Sequence, residues 1–357
     1  MSENGRPPTF AHGPLCALPL THDERIVMGH GSGGKMSRDL IQSLFLPPFD
    51  NAALRAGDDA AVVSAHGAAR LALSTDSHVV WPLFFPGGDI GRLAICGTVN
   101  DLAMMGARPL YLTVGFILEE GLDVALLRRV VDSMQAAAAE AGVHVVAGDT
   151  KVVQRGKADG LFINTAGVGL LPDGRNIAGN RARPGDVVIV SGPLGDHGIA
   201  VLQARGELGF EADVRSDVAP LNHLVAAMLA AGDGVHVLRD PTRGGVATAL
   251  NEIATQSNVA IILDEQAIPL RPAVEAAAEL LGFDPLYIAN EGRLLACVDP
   301  HDATAVLAAM RAAPYGREAV IIGRVQPQPA ARVLLCTTIG SLRVVETLAG
   351  EMLPRIC

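Results

Sequence analysis

Apolar positions along the chain keep two rhythms. From 123 to 141 they fall at Leu126, Val130, Met134, Ala137 and Ala141, the spacing of one helix face. Residues 91–105 are small and apolar throughout, apart from Asn100 and Asp101, and predict a second helix that Asp89 would cap. Runs of β-type residues predict strands at 71–80, 111–118, 143–147 and 161–170, the third a buried strand ending in Gly148-Asp149-Thr150-Lys151. Pro, Gly, Asn and Arg then crowd 172–184. Beyond them strands at 186–191, 235–238, 259–263, 286–289, 294–298, 319–325 and 332–337 alternate with helices at 218–231, 246–256, 272–281 and 302–312. This alternation predicts a two-domain α+β protein. Residues 26–172 form the first domain and 173–344 the second, with a flexible arm at 1–25 and a mobile tail at 345–357.

Composition narrows the class. The 357 residues are 49% hydrophobic, 18% charged and only 4% aromatic, ample for large α/β cores. A net charge of −10 argues against a sequence-blind nucleic-acid binder. No apolar run is long enough to predict a membrane span. The first residues lack the basic start and apolar core of a secretory leader, so a cytoplasmic location is expected. Five scattered cysteines, Cys16, Cys96, Cys297, Cys336 and Cys357, form no CxxC pair, the pattern of a reducing compartment.

Acidic and amide residues recur where apolar elements end: Asp58 and Asp59, Asp76, Asn100 and Asp101, Asp149, and Asp240. Hard oxygen ligands without His/Cys spacing suit Mg²⁺, which bridges carboxylates and substrate phosphates. Taken singly, each Asp is equally a turn cap. Lys151 follows Asp149 by two residues, as a cation beside a polyphosphate would. The loop 29–35, with four glycines around His30, Ser32 and Lys35, is either a phosphate cradle or a plain flexible loop, and it fails the Walker A spacing. Asn290-Glu291-Gly292-Arg293 interrupts two apolar runs. It reads as a hairpin turn with a solvated Glu, or as a buried carboxylate of raised pKa able to act as a base. A lone terminal Cys357 is incidental by itself. Yet the roughly 12 residues after Val345 could span about 40 Å, enough to enter or leave a site.

Several motifs together resemble a family. They are Gly57-Asp58-Asp59-Ala60-Ala61, Ser74-Thr75-Asp76-Ser77-His78, Phe84 to Gly91, Gly148 to Val153, Ser191 to Gly198, Asp240-Pro241-Thr242-Arg243-Gly244-Gly245 and the terminal Pro354-Arg355-Ile356-Cys357. From about Ile26 to Cys357 the chain resembles the HypE family of [NiFe]-hydrogenase maturation proteins. More broadly it is similar to the superfamily of aminoimidazole ribonucleotide synthetase and selenophosphate synthetase. The resemblance implies a PurM-like fold: an ATP-binding N-terminal domain that closes a β-barrel across a homodimer, and a second α+β domain. It implies an ATP-dependent carbamoyl dehydratase. A HypF-type carbamoyltransferase loads the terminal thiol, dehydration gives S–C≡N, and a HypC–HypD scaffold takes the cyanide for iron. On this resemblance Cys357, Glu291 and Lys151 carry the chemistry. Asp58, Asp59, Asp76, His78, Asn100, Asp101, Gly148, Asp149, Thr150 and Lys35 bind ATP, and Asp58, Asp59, Asp76, Asp101 and Asp149 hold Mg²⁺.

Two other readings stay open on sequence grounds. One is a synthetase of the same superfamily acting on a diffusible substrate. The other is a scaffold whose modified thiol is served entirely by partners, which would bind no ATP.

Overall fold

The computed structural model describes residues 26–31, 33–65, 70–206, 208, 213–348 and 356–357. The arm at 1–25 and tail residues 349–355 lie outside the described residues. Two sheets organise the rest. The first is five-stranded, in the order Ala61–Ser64, Arg70–His78, Leu161–Leu171, Arg108–Glu119 and His144–Val153. The second is seven-stranded, in the order Leu342–Val345, Arg332–Cys336, Ala260–Asp264, Val320–Gln326, Val187–Val190, Leu295–Val298 and Val235–Arg239. The chain passes from one sheet to the other over residues 172–186.

Helix Ile90–Met104 joins the two halves. Asp89 caps it, one carboxylate oxygen accepting from the amides of Gly91 (2.7 Å) and Arg92 (3.1 Å). The other oxygen accepts from Ser133 Oγ at 2.6 Å, tying this helix to Val124–Ala141. Thirteen of its fifteen residues are buried, so it shows no polar face. Its apolar residues share one core with the first sheet and another with the second half. Helix Val124–Ala141, capped by Asp123, buries Val130, Met134, Ala137, Ala138 and Ala141. It stops at Gly142, whose φ of 71° suits glycine. In the second sheet, helix Gly245–Ser257 packs on one face while Asn222–Ala231 and Ala303–Ala312 pack on the other.

Four local expectations need correction. The strand at 143–147 is not buried: His144–Val153 is the exposed edge strand of the first sheet and runs on through Gly148–Lys151. Residues 286–289 are not a strand but a 3-10 turn, Pro285–Tyr287, capped by Asp284. The helix at 218–231 begins only at Asn222: Pro220 disfavours helical backbone at the residue before it, and the Leu221 amide ahead of the first turn is bonded to the Asn100 side chain. Val345, placed in the tail, ends strand Leu342–Val345, pairs with Val333 and is fully buried.

Candidate active site

A cavity of about 250 Å³ opens between the two halves. Asp76 reaches it from strand Arg70–His78, Asp101 from helix Ile90–Met104, and Asp59 from the turn before the first strand. Gly97 makes room on the helix: a Cβ there would stand 3.0 Å from both Asp76 Oδ2 and His78 Cε1. The second half supplies Arg239 and Asp240 at the end of strand Val235–Arg239, Arg243 in the following loop, Glu252 from helix Gly245–Ser257, and Glu291. Thr242, Gly245 and Thr248 put the N-terminus of that thirteen-residue helix on the cavity wall, a place that favours anions. Cys357, the last residue of the chain, also lines the cavity.

The electrostatics are those of crowded carboxyls with two arginines among them, Arg239 and Arg243. Burial drives Asp59 up to about 6, against the opposing pull of Arg239, whose guanidinium is bonded to it. Arg239 also donates to Gly57 O at 3.3 Å and lies 3.6 Å from Glu252. Asp101 accepts from Ser74 Oγ at 2.5 Å, yet burial and the charges of Asp240, Asp76 and Asp59 hold it well above the usual carboxylate range. Burial, then Asp59, does the same to Asp240. Glu291 is 5% exposed and is also raised well above that range, by burial first and then by Asp76, Asp240 and Asp217. Burial likewise raises the Cys357 thiol, while the positive charge of Arg243 pulls it down and neighbouring Glu291 adds to the rise.

Asp240 Oδ2, Glu291 Oε1 and Thr248 Oγ1 are buried there without a hydrogen-bond partner. Mutually repelling carboxylates with unpartnered oxygens form a hard-oxygen donor set that suits a divalent cation and the oxygens of a polyphosphate.

Comparison with known proteins decides the family. The chain matches the AIR synthase related protein family, its N-terminal domain over residues 57–171 and its C-terminal domain over 183–335. It is 57% identical over 333 residues to the carbamoyl dehydratase HypE of Cupriavidus necator, covering 93% of this chain and 95% of that one. The chain belongs to the HypE family. Among solved structures, HypE in a HypE–HypF complex is 48% identical with a TM-score of 0.82, covering 87% of this chain and 99% of that one. HypE in complex with ATP is 50% identical with a TM-score of 0.78, covering 93% of this chain and 100% of that one. The fold is the PurM-like two-domain α+β fold expected from the resemblance.

Of the HypE-family residues expected to act together, Asp59, Asp76, Asp101, Glu291 and Cys357 do converge. Glu291 is no solvated hairpin residue. Its amide donates to Asp217 Oδ1 (3.1 Å), its carbonyl accepts from Asn100 Nδ2 (3.4 Å), and a Cβ at Gly292 would stand 1.8 Å from Asp217 O. Asp58 stands at the margin, accepting from the Gly179 amide at 2.7 Å. His78 is 2% exposed, 3.5 Å from Asp76, with its basicity lowered by burial.

Others are placed elsewhere in this chain. Asn100 clamps the two halves: Nδ2 donates to Ala219 O (3.1 Å) and Oδ1 accepts from Leu221 N (2.8 Å). Lys35 opens helix Lys35–Leu40, is exposed, and donates its amide to Leu348 O at 3.0 Å. Gly148, Asp149, Thr150 and Lys151 sit on the edge strand. Asp149 pairs in register with Gly115, which pairs with Asn164, which pairs with Ser77. Residues in register share a sheet face, and Ser77 faces opposite to Asp76 and His78. Asp149 and Lys151 therefore project from the other face, bonded to each other at 2.6 Å.

Arg239, Arg243 and Glu252 were not assigned to the site on sequence grounds, and Asp240 was only counted among the acidic ends. The available signal was the charged pair Arg239-Asp240 closing an apolar strand, with Asn251-Glu252 inside an apolar helix.

Proposed function

We propose that this chain is an ATP-dependent carbamoyl dehydratase that makes the cyanide ligand for [NiFe]-hydrogenase iron, with its own Cys357 as carrier. The observation that carries this reading is that the terminal Cys357 and the buried Glu291 line one cavity of carboxylates and arginines. The carbamoyl oxygen, a poor leaving group, attacks the γ-phosphorus of ATP, and ADP departs. The N–H protons are then lost as the C–O bond to phosphate breaks, leaving S–C≡N and inorganic phosphate. Glu291 is the base for this step, since its burial makes it hold a proton well. Arg239, Arg243 and the N-terminus of helix Gly245–Ser257 orient the phosphates and offset their charge. Asp59, Asp76, Asp101 and Asp240 would hold Mg²⁺, with Asp58 at the margin. When bound there, such an ion would supply positive charge against that developing on the transferred phosphoryl group.

The tail reaches the site from nearby. Leu348 is bonded to Lys35, and a Cβ at Gly34 would meet Leu348 O at 2.3 Å, so the tail starts beside the glycine loop that Arg243 grips at Gly31 O (2.6 Å). Cys357 is presented to a HypF-type carbamoyltransferase, returns for dehydration, and offers the cyanide to a HypC–HypD scaffold. Leu73, Tyr111 and Ile117 leave one face of the first sheet 42–48% exposed and apolar, suited to a second copy closing a barrel. Asp149 and Lys151 lie on that face and enter the reaction only through such a copy. The setting is the reducing cytoplasm, where Cys357 stays a thiol.

The test is mass spectrometry of the C-terminal peptide after incubation with carbamoyltransferase, carbamoyl phosphate and ATP. The wild-type peptide gains a carbamoyl group and then loses one water as ATP is hydrolysed. Dehydration that persists in Cys357→Ser refutes the reading.

A further inference from the structure

The last two residues are held by contacts that the dehydration chemistry does not use. Ile356 is 3% exposed, in the apolar cluster that contains Phe85, Val201, Val218 and Ala289. Its carbonyl accepts from His197 Nε2 at 2.8 Å. An oxygen of the Cys357 terminal carboxylate accepts from the Val79 amide at 3.0 Å.

His197 is built into position. It is fully buried and stands edge-on to Phe85, ring centroids 5.4 Å apart at 87°. Its Nδ1 lies 2.8 Å from Ser216 Oγ, which accepts from the Val218 amide at 3.1 Å, while the Ser216 amide donates to Pro86 O at 2.7 Å. A carbonyl only accepts, so Nε2 carries the ring proton and the Ser216 hydroxyl donates to Nδ1. Burial keeps the ring below its ordinary basicity and hence neutral. One buried donor is thus aimed at a single peptide carbonyl of the tail.

We infer that His197, Phe85 and the Val79 amide form a dedicated seat for a C-terminal dipeptide of the class apolar residue–cysteine, and that His197 is a positioning residue for dehydration. Ordering a free tail costs conformational entropy, and a thiol on a long arm meets Glu291 productively only when that cost is offset. Burial of Ile356 and two backbone hydrogen bonds supply the offset, and they act on the backbone and the penultimate side chain. The thiol stays free for its carbamoyl group. The inference rests on the reading that Cys357 carries the reacting group, but the seat itself is measurable without any turnover.

The full-length protein with His197→Phe keeps an aromatic ring and loses the donor, while His197→Gln keeps an N–H at similar reach. The first measurement is the rate of iodoacetamide alkylation of Cys357 in the unloaded protein. The second is the single-turnover dehydration rate after loading, with ATP affinity measured alongside. His197→Phe and Ile356→Ala are expected to alkylate roughly two- to tenfold faster and to dehydrate slower by a similar factor, with ATP affinity unchanged. His197→Gln is expected to restore both rates. Unchanged alkylation in His197→Phe and Ile356→Ala overturns the seat. So does equal failure of His197→Gln and His197→Phe with a matching fall in melting temperature, which makes the histidine purely structural. If wild type never dehydrates while the alkylation rates move as expected, the seat stands and the dehydratase reading falls.

Discussion

Replacing Asn100 by Ala separates a nucleotide ligand from a structural clamp. The side chain bridges helix Ile90–Met104 to the second half: Leu221 N–H donates to it at 2.8 Å, and it donates to the carbonyls of Ala219 and Glu291 at 3.1 and 3.4 Å. It is 2% exposed, so no water replaces these bonds at low cost. Leaving a buried N–H unpaired costs about 1–3 kcal/mol, and the Ala219 carbonyl adds a smaller amount. The total is about 2–4 kcal/mol, a large part of a typical stability of about 5–15 kcal/mol. For domains of this size that is a fall of roughly 5–15 °C in melting temperature. Thermal melts, ATP titration calorimetry and single-turnover dehydration together make the assay. The melt should fall and dehydration should slow, because Glu291 loses a tether, while ATP affinity holds at the wild-type value. An unchanged melt with a large loss of ATP affinity would refute the clamp and return Asn100 to the nucleotide.

Two further outcomes follow from the same geometry. A base must be ionised to act, and the Glu291 carboxyl is raised, so the single-turnover rate should climb with pH beyond the ordinary carboxylate range. Glu291→Gln should lower that rate by about 10²–10⁴-fold and abolish the climb, and a wild-type rate flat in pH would remove Glu291 as the base. Lys151→Met should leave the melting temperature unchanged, because the Lys151–Asp149 pair is about 70% exposed on the edge strand. A destabilised Lys151→Met protein would contradict that placement.

Local signals were legible where one element could satisfy them alone. Asp89 caps the helix it precedes, and the 123–141 spacing buries the expected face. Strand-end acids were legible as a class but not as a site. Asp76 and Asp149 look alike in sequence, each closing an apolar run. Sheet register sets them on opposite faces, because side chains alternate with period two and one residue of shift reverses the face. Asn100 beside Asp101 reads as a polar pair on one helix. The helix turn sends Asp101 to the cavity and Asn100 to the second half. Glu291 was open between turn and base. Its burial comes from Asp217 and Asn100, 74 and 191 residues away, a distance no local pattern encodes.

By itself, then, the sequence determined the alternation of strands and helices, the two-part division, the acid-rich element ends and a thiol at the chain terminus. These follow from local propensity and periodicity, which act within a few residues. Tertiary structure alone decided which acids meet, that Arg239 pairs with Asp59 while Arg243 lines the same cavity, and that the Ile356 carbonyl is held by His197. Those facts depend on register and on packing between elements far apart in the chain, where burial sets each group's charge.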